Sequence, residues 1–111
     1  MAGPGSAGTE MPFQRRESWY ENRLIRRARE ELGLRGIKLK GLGFDGLPDR
    51  AFFCPGARLW LCELKRPGEE PTGLQLEVHG WLRRLGFTVE VHDDEDVAFQ
   101  ALKRFINQDQ P

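Results

Sequence analysis

The sequence predicts an α/β fold, a mixed central sheet flanked by helices in the order α-β-β-β-α-β-α. Three observations carry this. Two apolar runs, Ala51–Cys54 and Leu59–Leu64, flank a Pro55-Gly56 reversal and read as a hairpin of strands. Both runs are apolar on both faces, as expected of central strands covered from above and below. Helical periodicity brackets them, with Tyr20, Leu24, Ala28 and Leu32 before the hairpin and Leu74, Val78, Trp81, Leu82 and Leu85 after it.

In chain order, residues 1–12 begin with a Gly/Ala/Ser-rich stretch and are expected to be disordered, leaving 13–111 as a single domain. The first helix runs from Ser18 to about Leu32. Ser18 is a candidate N-cap, Glu21 completes a capping box and Gly33 ends the helix. Arg23, Arg26, Arg27 and Arg29 cover its other faces, as solvated surface or as phosphate contacts. Ile37–Lys40 alternates apolar and basic residues and reads as a short, half-buried or edge strand. Gly41–Pro48 is a glycine-rich loop without the Gly-Lys-Ser/Thr of a phosphate-cradling loop. The helix after the hairpin is capped by Thr72 and stopped by Gly86. Phe87–His92 alternates as a half-covered strand. Asp93 or Asp94 then caps a last helix to about Asn107, with Val97, Ala101, Leu102, Phe105 and Ile106 on its apolar side. A strand, helix, strand unit after a meander makes the sheet mixed.

The chain of 111 residues is 39% hydrophobic and 31% charged, with 17 Lys/Arg against 17 Asp/Glu. That composition suits one globular domain with a modest core. No run approaches a membrane span and no signal peptide precedes the domain, so a cytoplasmic protein is expected, in the host cytoplasm if viral. Two cysteines, Cys54 and Cys62, fall on the predicted strands as reduced core residues, and with two scattered histidines they do not make a zinc site. The charge is uneven. Residues 11–40 hold nine Lys/Arg against four Glu, while 41–111 hold eight Lys/Arg against twelve Asp/Glu. The basic half could hold phosphates and the acidic half a metal, although a solvated basic helix explains the charge alone.

The candidate chemistry lies at the ends of the hairpin. If Phe53 pairs with Leu59, Asp49 falls opposite Glu63, and two facing carboxylates destabilise a ladder by a few tenths of a kcal/mol or more. A divalent cation between them reverses that sign, because hard cations take carboxylate oxygens. Lys65 shares the face of Glu63 and brings an ammonium to the same place. A frayed strand end pointing into water is the competing account of Glu63 and Lys65. Gln75 and His79 are four apart on one helix face, and each could be an ordinary surface residue.

Asp49, thirteen intervening residues and then Glu63-Leu64-Lys65 resemble the PD-(D/E)XK nuclease superfamily. Gly46-Leu47-Pro48-Asp49-Arg50, Glu63-Leu64-Lys65-Arg66-Pro67-Gly68 and the following Gln75 and His79 are similar to the VRR-NUC (virus-type replication-repair nuclease) family, over about residues 17–97. The resemblance implies a restriction-endonuclease-like core and a metal-dependent DNA endonuclease. Asp49, Glu63 and the Leu64 carbonyl would bind Mg²⁺ or Mn²⁺, with Lys65 and Gln75 completing the catalytic set. Glu21 matches an acidic first-helix residue that faces the metal site, in an outer shell or on a second metal, while capping explains it equally. His79 could contact phosphate or be a plain helix histidine. Small members imply a homodimer acting on branched DNA such as four-way (Holliday) junctions, without a small-molecule cofactor or membrane. The alternative is a nucleic-acid-binding or scaffolding module of the same fold that does not cut.

Overall fold

The computed structural model describes residues 17–39 and 43–108, apart from the side chains of residues 17, 18, 20 and 21. The expected disordered stretch, 1–12, lies outside the described residues. The first helix, α1 (Glu17–Arg27), continues into a π-helical turn, Ala28–Leu32. Gly33 closes it in the left-handed region at φ 70°, where its N–H meets the Ala28 and Arg29 carbonyls. The helix already includes Glu17, so Ser18 lies inside it rather than at its cap. Then follow β1 (Gly36–Lys38), β2 (Arg50–Cys54), β3 (Arg58–Leu64), α2 (Gly73–Arg84), β4 (Thr88–His92) and α3 (Glu95–Ile106). This is the expected order, and the sheet is mixed. β1 and β2 are antiparallel, β2 and β3 are antiparallel, and β3 and β4 are parallel across the α2 crossover.

Phe53 pairs with Leu59 and Arg50 with Cys62, so the register of the hairpin is the one that sets Asp49 against Glu63. Its turn puts both Gly56 (φ 81°) and Ala57 (φ 59°) in the left-handed region. Period-2 alternation then sends Phe52, Cys54, Trp60, Cys62 and Leu64 to one face, where they pack with Leu24 and Ala28 of α1 and Ala98, Phe99, Leu102 and Phe105 of α3. Ala51, Leu61 and Val89 face the other way, against Val78 and Leu82 of α2. Cys54 and Cys62 are buried and form no disulfide with each other. Buried Trp60 donates its indole N–H to Glu90 at 3.1 Å, so its polar atom is satisfied.

Two helices cover one face of the sheet and one helix covers the other, and this asymmetry corrects several expectations. Of the predicted α2 stripe only Val78 and Leu82 are buried, while Leu74, Trp81 and Leu85 are exposed. The buried side of α2 is rotated toward Gln75 and His79, with Val78 and Leu82 seated on Ala51, Leu61 and Val89. Phe53, at the hairpin end, is also exposed. On α3 the buried residues include Ala98 and Phe99, whereas Val97 faces out. Trp19 is partly exposed as well, with the Arg23 guanidinium 5.4 Å from its ring centroid.

Part of the basic face of α1 is committed to the fold. Arg27 donates to buried Glu95 at 2.7 Å and to Asp96 at 3.0 Å, and its guanidinium lies 4.0 Å over the Phe99 ring. Arg23 joins Glu95 at 3.1 Å. These pairs tie α1 to the start of α3, where Asp94 caps the helix by accepting from the Asp96 and Val97 amides. Arg27 is therefore part of the packing, while Arg23 stays exposed beside its pair with Glu95.

Candidate active site

The site is built where β2 begins and β3 ends, beneath the first two turns of α2. A turn delivers Asp49 there. Gly46 is left-handed at φ 91° and lies so close to α2 that a Cβ would sit 2.7 Å from Val78 Cγ2 and 3.0 Å from the Leu74 carbonyl. The loop therefore seats directly on α2. Pro48 is fully buried and restricts Leu47 to extended backbone, which leads the chain straight into β2. Asp49 is anchored twice. Its carbonyl accepts from the Leu39 amide at 2.9 Å, and its carboxylate Oδ2 accepts from the Leu64 amide at 3.3 Å. The second bond ties it to the strand residue between Glu63 and Lys65.

Glu63 is 1% exposed. Its Oε2 is held twice, by Lys65 Nζ at 3.1 Å and by Gln75 Nε2 at 2.8 Å. Its Oε1 has no hydrogen-bond partner. Burial raises the Glu63 pKa above the ordinary carboxylate value and the neighbouring Asp49 charge adds to this, while Lys65 and Gln75 oppose it. Lys65 is itself largely buried and its amide donates to the His92 carbonyl at 2.8 Å, so the strand end does not fray into water.

Gln75 links the helix cap to the site. It is the third residue of α2, and its Oε1 accepts from the Thr72 amide at 2.9 Å while its own amide donates to the Thr72 hydroxyl at 3.1 Å. This is a reciprocal capping box. The backbone N–H demands the oxygen of the side-chain amide and the carboxylate demands its nitrogen, so the two contacts fix its orientation. Gln75 is thus neither an exposed glutamine nor a direct partner of Lys65. It meets Lys65 through the shared Glu63 oxygen.

His79 is also not a plain surface histidine. One turn below Gln75, it is 0% exposed, and Nε2 lies 3.9 Å from Glu63 Oε1. Neither ring nitrogen has a hydrogen-bond partner. Burial lowers its pKa, with Arg83 and Lys65 adding to the effect, so the ring is neutral near pH 7. The residue was legible as the i+4 neighbour of Gln75 but lay off the expected apolar stripe. The side chain of Glu21 lies outside the described residues. Its neighbour Asn22 accepts from Arg50 at 3.4 Å, so α1 passes beside the start of β2.

The donor set fits a hard divalent cation. Two carboxylates share one end of the sheet, and one buried carboxylate oxygen lacks any partner. Among the described residues no group of three or more His, Cys, Asp or Glu is placed to cage a metal. Two carboxylates and a backbone carbonyl still suffice for an ion that keeps several waters.

This fold is a restriction-endonuclease-like α/β core with Asp49, Glu63 and Lys65 at one end of its sheet. The comparisons agree. A protein of Acyrthosiphon pisum secondary endosymbiont phage 1 named "Putative nuclease p44" is 36% identical over 83 residues, which are 75% of this chain and 88% of that protein. A solved structure described as a VRR_NUC domain superposes with a TM-score of 0.59 at 27% identity, covering 82% of this chain and 98% of that one. No family model matches the chain. The chain belongs to the VRR-NUC family of nucleases.

Proposed function

We propose that this nuclease is a metal-dependent DNA endonuclease that hydrolyses phosphodiester bonds, acting on branched DNA such as four-way junctions. The observation that carries the reading is the pair of buried carboxylates, Asp49 and Glu63, brought together at one end of the sheet. A binding-only surface gains nothing from two adjacent carboxylates, which repel phosphate.

Asp49, Glu63 and the Leu64 carbonyl would hold Mg²⁺ or Mn²⁺. Such an ion polarises a phosphate and acidifies a water molecule. The remaining chemistry belongs to the side chains. Lys65 presents an ammonium to the charge that develops on phosphorus-bound oxygen and helps place the attacking water. Gln75 fixes the Glu63 carboxylate from above. Glu21 is assigned to an outer shell. No covalent nucleophile is involved.

We further propose a homodimer, because branched substrates present two symmetric cut sites. Exposed Leu74, Trp81 and Leu85, with Phe44 edge-on to Trp81 at 6.0 Å between centroids, offer an apolar surface on α2.

The test is incubation of the protein with labelled four-way junction and with linear duplex, in Mg²⁺, in Mn²⁺ and in EDTA, beside Asp49→Ala. Metal-dependent junction cutting that Asp49→Ala abolishes is the expected result. Equal cutting of duplex removes the junction preference, and cutting in EDTA refutes the metal.

A further inference from the structure

Resting on the metal reading above, we propose that His79 is a positioning residue of the site, with its Nε2–H reserved for Glu63 Oε1. Lys65 and Gln75 both hold Oε2, so the carboxylate is fixed at one oxygen only. The other oxygen and both His79 nitrogens are buried without partners in the same small volume. Unpaired buried donors and acceptors are rare in folded proteins, and three atoms of two facing side chains is a concentration that calls for a partner.

At 3.9 Å the two atoms do not yet hydrogen-bond. Closing the gap takes about 1 Å, within reach of the broad terminal torsion of a glutamate. The drive to close it is the burial of three polar atoms without hydrogen-bond partners, two of which a single Nε2–H···Oε1 bond would satisfy. His79 then fixes the second oxygen, and the plane of the carboxylate is set from both ends. Groups that orient a metal-binding side chain in this way typically change metal affinity by about 10–100-fold when removed.

Three substitutions separate a donor from a filler. In His79→Gln the side-chain amide nitrogen reaches the place of Nε2. In His79→Asn it reaches only that of Nδ1. His79→Phe keeps the ring volume with no donor. Mn²⁺ binding is measured by titration calorimetry without DNA, with Asp49→Ala as the blank and thermal melting as the folding control. The expected result is near-native Mn²⁺ affinity in His79→Gln and a loss of about tenfold or more in His79→Asn and His79→Phe. Unchanged affinity in His79→Phe, or a loss in His79→Gln as large as in His79→Phe, overturns the inference.

A second measurement needs neither metal nor variants at this position. Long-range ¹H–¹⁵N spectra of the native protein report which nitrogen of each ring carries the proton. The chain has two histidines, so His92→Gln assigns the signals. An Nε2–H tautomer at His79 is expected, and an Nδ1–H tautomer overturns the inference by itself. A native protein that takes up no Mn²⁺ instead overturns the metal reading, and this inference with it.

Discussion

Gln75→Glu tests the double use of one side chain. Glutamate serves a capping box as well as glutamine, because either side-chain oxygen can accept from the Thr72 amide. The helix start is therefore untouched. The change falls on the 2.8 Å contact with Glu63, where an N–H donor becomes a second carboxylate oxygen. A hydrogen bond to a charged acceptor contributes about 1.5–3 kcal/mol. Two like charges about 4 Å apart repel by roughly 4 kcal/mol at an effective permittivity near 20. Uptake of one proton by the pair limits that repulsion, so the expected loss at pH 7 is roughly 2–4 kcal/mol. For a domain of this size that corresponds to a melting temperature lower by roughly 10–20 °C. The native pair holds its proton to higher pH than the unfolded chain does. The native state therefore binds more protons in the window above the ordinary carboxylate pKa, and stability falls as pH rises through it. The deficit of Gln75→Glu is largest at neutral pH and shrinks toward pH 4. Thr72→Ala is the counterpart, losing the cap but keeping the Glu63 contact, with a cost of about 1 kcal/mol that does not vary with pH. Urea or thermal unfolding of both variants at pH 4.5 and 7 decides. A Gln75→Glu protein as stable as the native one at pH 7 refutes the coupling of cap and site.

Three more outcomes follow from particular residues. Glu63 has a raised pKa when folded, so the native protein loses stability as pH rises from the ordinary carboxylate range through that raised value. Glu63→Gln is spared this loss, and its stability relative to the native metal-free protein should rise with pH and then level off in unfolding experiments, while nuclease activity disappears. Gly46→Ala forces a Cβ at φ 91° against Val78 and the Leu74 carbonyl, and should cost roughly 2–4 kcal/mol in urea unfolding and lower activity by displacing Asp49. Ala57, left-handed at φ 59° in the hairpin turn, should gain about 0.5–1 kcal/mol on Ala57→Gly, read as a higher melting temperature with activity retained.

Much of this molecule is local information. Period-2 alternation in Ala51–Cys54 and Leu59–Leu64, with a Pro-Gly reversal between them, determines the hairpin, its register and hence the pairing of Asp49 with Glu63. The caps at Thr72 and Asp94 and the stop at Gly33 are short-range chemistry and were legible for that reason. Relationships between elements were not. A helical stripe states that one side of α2 is apolar, but the seat offered by Ala51, Leu61 and Val89 decides which side is buried. That rotation put Gln75 and His79 inward and left Leu74, Trp81 and Leu85 outside. The partners of Arg23 and Arg27 lie about 70 residues away on α3, a separation no local pattern spans. The same holds at the site. The sequence by itself determined the register that sets Asp49 against Glu63. Only the tertiary structure decided that Gln75 and Lys65 share one oxygen of Glu63 while His79 stands before the other, because burial and hydrogen-bond geometry exist only once the helix has been laid on the sheet.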